Sequence, residues 1–148
     1  DNMRLDGEIG RAKFAYNSGQ MMQSAALLYQ LTGDELYLED AQAIAAACHN
    51  YFFTEFTPEQ GEPFRMLKKG DVWFTAVMLR GFIELYQADG NKAYLDSFVR
   101  SLDYTWMHAR EENGLFNTDF TGENRDKRKW LLTQAAMVEM YARLATIQ

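Results

Sequence analysis

Aromatic, amide and charged side chains collect in the weakly periodic parts of this chain. They are Glu8, Arg11, Tyr16, Asn17, Glu62, Phe64, Arg65, Lys69, Asp71, Trp73, Phe116, Asn117, Asp119, Arg128 and Trp130. Such a mixture suits a polyhydroxylated ring. An aromatic face covers the C–H face of a pyranose, and polar side chains take its hydroxyls. Tyr16, Asn17, Gln20, Asp71, Trp73 and Trp130 are the candidate substrate-binding residues. No residue is assigned as a catalytic acid. Structural explanations stand beside these roles: Asn17 and Asp71 as helix caps, Trp73 and Trp130 as core. Lys127 to Lys129 reads as a solvated face.

Other chemistries find little support. His49 and His108 fall on amphipathic helices with no ligand partner nearby in sequence, so both read as structural. No Cys or His spacing suggests a metal, no glycine-rich phosphate loop is present, and no cofactor is expected. Net charge is −6, and no basic run exceeds Lys127-Arg128-Lys129. That argues against nucleic acid, whose phosphates need clustered Lys and Arg. No apolar run reaches about 18 residues, so no membrane partner is expected. No secretory leader is recognisable, and the opening Asp1-Asn2-Met3-Arg4 reads as a mature form or an excised piece. The one cysteine, Cys48, excludes an internal disulfide.

The elements that must position these residues are helices. The chain has 148 residues, 47% of them hydrophobic, with two prolines. It reads as a single all-helical region over 1–148 with a real core. Asn17, with Gln20 three residues on, predicts a capping-box-like helix start. Gly33 ends that helix and Asp34 caps the next, which runs to about Phe52. Residues 54–70, with Pro58, Gly61 and Pro63, read as a long connection. Asp71 begins a third helix, from Val72 to about Tyr86, apolar nearly all round and therefore buried on most sides. Gly90 stops it, and Asn91 caps a fourth helix to about Ala109. A third connection spans 111–128, and a final helix runs from Lys129 to Ala145.

The first hairpin is partly repeated. Leu28-Tyr29-Gln30, Gly33 and Tyr37-Leu38 reappear 57 residues later as Leu85-Tyr86-Gln87, Gly90 and Tyr94-Leu95. A fixed period in this range signals a helical-hairpin array, and 57 is too long for the 34-residue tetratricopeptide unit. Strongly apolar helices alternate with amphipathic ones, which fits an inner ring wrapped by an outer ring, the α/α toroid. An open solenoid is the competing arrangement. In a toroid, the lead-in 1–17 and the loops 54–70 and 111–128 gather on one face.

Particular motifs add a resemblance. Asp6-Gly7-Glu8-Ile9 is followed by Phe14-Ala15-Tyr16-Asn17-Ser18-Gly19 and then by Leu31-Thr32-Gly33-Asp34. Phe64-Arg65 and Lys69-Gly70 precede a helix containing Arg80-Gly81-Phe82. Together these resemble the C-terminal half of glycoside hydrolase family 76, the α-1,6-mannanase-like enzymes, over about residues 6–146. The resemblance implies hairpins of an (α/α)6 toroid, endo-hydrolysis of α-1,6-mannan with retention, and an extracytoplasmic parent protein. It also implies two adjacent catalytic aspartates in the N-terminal half.

This chain has no Asp-Asp pair. Asp34-Glu35, Glu39-Asp40 and Glu111-Glu112 are its adjacent acids, and none precedes an apolar helix with aromatic company. Five helices stand where a full toroid needs twelve. The chain is therefore expected to be about half a toroid, inactive alone, with a mannan-like saccharide and the missing half as partners. Apolar flanks of helices such as 72–86 would invite homodimerisation. The alternatives are a non-catalytic helical carbohydrate-binding module, or a toroid of another class such as an epimerase or an unsaturated-glycuronide hydrolase, which should show a His-rich or acid-rich pocket.

Overall fold

A computed structural model describes residues 3–147. Its helices are α1 (Ala15–Thr32), α2 (Glu35–Phe52), α3 (Val72–Asp89), α4 (Ala93–Tyr104) and α5 (Leu131–Ala145). The chain between α2 and α3 holds a two-stranded antiparallel hairpin, β1 (Phe53–Phe56) and β2 (Phe64–Leu67). A five-residue π-helix, Thr105–Ala109, extends α4.

The two tight turns share one device. Gly33 and Gly90 both adopt φ 71°, and each donates its N–H to a tyrosine carbonyl four residues back, Tyr29 and Tyr86, at 2.8 Å. Asp34 Oδ1 then accepts from Leu36 N at 3.0 Å, and Asn91 Oδ1 from Ala93 N at 3.1 Å. A left-handed glycine satisfies the departing helix while a side-chain oxygen opens the next. The repeat in sequence is thus a repeat of turn chemistry.

Two helix starts differ from expectation. Phe14, extended at φ −117° and ψ 132°, holds the cap position of α1. Asn17 lies inside the first turn, so the capping-box reading of Asn17 and Gln20 is overturned. Aromatic packing accounts for the earlier start: Phe14 meets Phe74 edge-on at 5.8 Å, and Tyr16 lies 4.6 Å from Phe74. Tertiary packing, more than local propensity, stabilises most helices in proteins. The last helix begins at Leu131: Trp130, extended at φ −88° and ψ 129°, holds its cap position, and Lys129 before it donates to Glu111 Oε1 at 2.6 Å and to Asn117 Oδ1. With its side chain 17% exposed, Lys129 is not part of a solvated face.

The hairpin was unforeseen inside the 54–70 connection. Phe53 pairs with Leu67 and Phe56 with Phe64, and Phe53, Phe64, Met66 and Leu67 are buried. Only one strand residue in two need be apolar on such a surface, so four-residue runs carry a weak signal.

Helices α1 and α3 run parallel, since Tyr16 meets Trp73, Gly19 meets Met78 and Gln23 meets Glu84 in rising order. Helix α3 also packs on α5, tied by Arg80 to Glu139. Helices α2 and α4 lie outside them, joined by His49 to Ser97 at 2.9 Å. The alternation of apolar and amphipathic helices is therefore an inner layer of α1, α3 and α5 against an outer layer of α2 and α4. Helix α3, in the middle, is buried at Val72, Ala76, Leu79, Phe82 and Leu85.

The exposed flanks fall elsewhere than expected. Helix 72–86 is covered on both sides, so its apolar surface is not available. Instead α1 exposes Met21, Leu27, Leu28 and Leu31, and α5 exposes Leu131, Leu132 and Val138. The end members of a row of inner helices each lack one neighbour, and the middle one lacks none.

Candidate saccharide cleft

The lead-in and the 54–70 segment do meet at one end of the bundle. A cleft of about 390 Å³ opens there, lined by Lys13, Phe14, Ala15, Tyr51, Phe52, Lys68, Lys69, Gly70, Asp71, Phe74 and Thr75. Gly70 donates its N–H to Thr118 O at 3.3 Å, which joins the 111–128 loop to the same end. Three segments far apart in sequence thus converge because each leads into an inner helix.

Beside the cleft Tyr16 and Trp73 stack, with ring centroids 5.8 Å apart and planes 15° from parallel. Phe74 lies 4.3 Å from Trp73 and 4.6 Å from Tyr16. Tyr16 also stacks on Phe14 at 5.9 Å, and both Tyr16 and Trp73 are half-buried. Asp71 occupies the cap position of α3 on the cleft wall, exposed and making no side-chain cap bond. Its carboxylate is available to accept from hydroxyls. Asn17 sits next to Tyr16, half-buried, and Gln20 is exposed one turn further along α1.

Trp130 is separate from this group. It precedes α5, is 56% exposed, and among the described residues makes no ring contact with Tyr16 or Trp73. Sequence reasoning grouped it by its position before an apolar helix. Lys13, Tyr51 and Lys68 were missed. Tyr51 and Lys13 gave no periodic signal of their own, and Lys68 comes to the cleft only through the hairpin.

Several expected face residues are structural. Phe64 and Phe116 are core. Arg65 Nη2 donates to His49 O at 2.8 Å and Phe53 O at 3.2 Å, closing the carbonyl end of α2. Asp119 is 4% exposed and accepts from Thr121 N, Thr121 Oγ1, Asn124 N and Asn124 Nδ2 at 2.6–3.0 Å. Burial pushes its pKa up, but these four donors outweigh burial and hold the carboxyl below its ordinary value. Asn117 is buried and ties Asp126 N to Lys129. Asn117 and Asp119 of the 111–128 loop are therefore spent on the loop's own fold, whereas Arg128 is exposed. Glu8 pairs with Arg4 at 2.6 Å, exposed.

His49 packs on Phe53 and Tyr94, and its pKa is lowered by burial and then by Arg65. His108 stacks on Tyr104 at 4.4 Å. Both positions fit the structural reading. Among the described residues no group of three or more His, Cys, Asp or Glu side chains is placed to hold a metal. No described helix is long and apolar enough to cross a membrane.

This fold and cleft define an all-α protein built of helical hairpins from an α/α toroid, with its loops gathered at one end. The family model for glycosyl hydrolase family 76 matches residues 1–64. A family 76 glycoside hydrolase from a bovine Bacteroides thetaiotaomicron strain matches with TM-score 0.90 and 38% identity, over 99% of this chain and 33% of that one. A family 76 glycoside hydrolase (mannosidase) from Bacteroides thetaiotaomicron VPI-5482 matches with TM-score 0.89 and 40% identity, over 95% of this chain and 38% of that one. An α-1,6-mannanase from Salegentibacter sp. HEL1_6, at 23% identity and TM-score 0.75, shares the fold over 98% of this chain and 44% of its own. No curated protein matches. The chain resembles part of a family 76 glycoside hydrolase in sequence and in fold, and it spans about a third to two-fifths of the first two relatives.

Proposed function

We propose that this chain is part of a glycoside hydrolase acting on α-mannan-type polysaccharide, of endo-α-1,6-mannosidase type. It supplies sugar-binding surface and not the catalytic carboxylate pair. The observation that carries this reading is the Tyr16–Trp73 stack beside the open cleft, at the end where the loops converge. Tyr16, Asn17, Gln20, Asp71 and Trp73 form the binding group, and Trp130 serves a separate point on the same end. Retaining hydrolysis needs two carboxyls about 5 Å apart, one ionised and one protonated. The sequence holds no Asp-Asp pair, and the buried Asp119 is fully engaged by its own loop.

The remaining part of the domain is the partner for the exposed flanks of α1 and α5, and a second copy of this chain is the alternative occupant. The same reading makes the parent protein extracytoplasmic: secreted, periplasmic or at the cell surface.

A second reading is a non-catalytic carbohydrate-binding module. It is favoured by a lining that pairs aromatic rings, Phe14 and Phe74, with Asp71 as its one acid. One pair of measurements separates the two. Incubated with α-1,6-mannan, the chain should release no reducing ends, and turnover would overturn the assignment of catalysis elsewhere. Titrated with α-1,6-mannotetraose, it should bind weakly, and Trp73→Ala and Asn17→Ala should bind more weakly still. Tight binding by the chain alone, lost in Asn17→Ala, selects the binding module. No binding at all removes both.

A further inference from the structure

We propose that the cleft takes a saccharide bearing an anionic substituent, a phosphate ester or a carboxylate, and this rests on the saccharide reading above. Three lysines reach the cleft from two segments: Lys13 before α1, and Lys68 and Lys69 after β2. Lys13 Nζ lies 4.7 Å and Lys68 Nζ 5.5 Å from the centroid of the Tyr51 ring, so the two ammonium groups share one aromatic platform. Lys68 Nζ also donates to Tyr51 O at 2.6 Å, which orients it while leaving donors free. All three lysines are exposed, and among the described residues none has a carboxylate within 4.0 Å.

Like charges gathered in one cleft repel each other unless a counter-charge is supplied. Asp71 is the one acid on the cleft wall, so the lining carries three positive groups against one negative. The whole chain has net charge −6. A polyanion approaching it is repelled overall, whereas a mostly neutral polymer with a sparse anionic group meets only the local positive field. The other walls, Phe14, Phe52 and Phe74, are aromatic and suit the C–H faces of sugar rings. A volume of about 390 Å³ is in the ordinary range for a small-ligand site.

The test compares the intact chain's affinity for α-1,6-mannotetraose with that for the same oligosaccharide carrying one 6-phosphate, and with one carrying a terminal uronic acid. At low salt at least one anionic oligosaccharide should bind roughly tenfold more tightly than the neutral one. The preference should shrink to about threefold or less near 0.5 M salt, where screening is short-ranged. The order of the two anionic arms tells phosphate from carboxylate. The Lys13→Gln/Lys68→Gln/Lys69→Gln variant, with a melting curve to show that it folds, should bind charged and neutral forms alike. Equal affinity for all three oligosaccharides in the wild type overturns this proposal and leaves the saccharide reading standing. A preference that survives in the triple variant also overturns it. Failure of all three to bind overturns the saccharide reading, and this proposal with it.

Discussion

Gly19 on α1 and Gly81 on α3 meet backbone to backbone. A Cβ placed on Gly81 would lie 2.4 Å from Gly19 O, and one on Gly19 would lie 2.4 Å from Met78 Cα. Both obstacles are main chain, which cannot turn aside as a side chain can. The motifs Tyr16-Asn17-Ser18-Gly19 and Arg80-Gly81-Phe82 are therefore two halves of one helix crossing. That crossing sets the spacing of the inner helices and brings Tyr16 onto Trp73. Either Gly19→Ala or Gly81→Ala should destabilise the chain by about 1–3 kcal/mol or more, as overpacking does. Gly33→Ala meets no atom within 4 Å and suffers only its left-handed φ of 71°. It should cost about 1 kcal/mol. Urea unfolding of the three variants checks the order, and equal losses would remove the crossing argument.

Arg80 and Glu139 tie the middle inner helix to the last one, with Nε to Oε1 at 2.7 Å and Nη2 to Oε2 at 2.8 Å. Arg143 Nε reaches the same Oε1 at 2.7 Å. The Arg80 side chain is 38% exposed, so solvent screening trims the value of this paired geometry. A double-mutant cycle with Arg80→Gln and Glu139→Gln should return a coupling of about 1 kcal/mol. A coupling of zero would mean that α3 and α5 are held by apolar contacts alone.

Acid should loosen the fold in two stages. The Arg80 hydrogen bond is the main influence holding Glu139 below its ordinary pKa, and Asp119 is likewise lowered. A depressed carboxyl contributes its stability above its unfolded pKa and loses it as pH falls through the folded value. Those losses belong below about pH 4. His49 is lowered by burial, so the unfolded chain takes its proton first, and stability begins to slip as pH falls below about 6.5. Melting curves from pH 8 to 3 should show a shallow decline followed by a steep one. The Asp119→Asn variant, which keeps one acceptor, should flatten part of the second stage.

Arg65 belongs to the scaffold and not to the cleft. Its guanidinium donates to the carbonyls of His49 and Phe53. Arg65→Ala should cost about 1–3 kcal/mol by leaving those acceptors unmet. Its affinity for α-1,6-mannotetraose, measured well below the melting temperature, should stay within about twofold of wild type, within the small effect expected away from a contact.

Binding should separate the tryptophans. Trp73→Ala removes one face of the Tyr16 stack and should weaken α-1,6-mannotetraose binding by about tenfold, the scale of one lost aromatic contact. Trp130→Ala acts at an exposed site with no ring contact to that pair, and its effect should be under about threefold. Reversal of the two would move the sugar site to the start of α5.

Much of the fold was legible in the chain. Gly33 and Gly90 announce turns because only a left-handed residue lets a helix end that tightly; Asp34 then caps α2, while Lys92 holds the cap position of α4 and Asn91 before it accepts from Ala93 N. Apolar periodicity distinguished inner helices from outer ones, because burial on all sides demands apolar residues on all sides. The family motifs were legible too. The site was legible only in part. Tyr16, Trp73 and Asp71 could be read as aromatic and acidic neighbours of inner-helix starts, but the contact of Tyr16 with Trp73 could not.

Tertiary structure alone decided the rest. It made Phe14 the start of α1, because aromatic packing across α1 and α3 outweighs the local capping preference of Asn17. It turned Asn117, Asp119 and Arg65 from apparent ligand contacts into scaffold, because a buried donor or acceptor must be satisfied wherever the fold leaves it. It also folded 53–67 into a hairpin, which carries Lys68 to Lys13 over Tyr51 and brings Lys69 to the same cleft. Local spacing governs turns and helix faces within a few residues. Which distant side chains share a cleft depends on how closely the helices approach, and here that was set at Gly19 and Gly81.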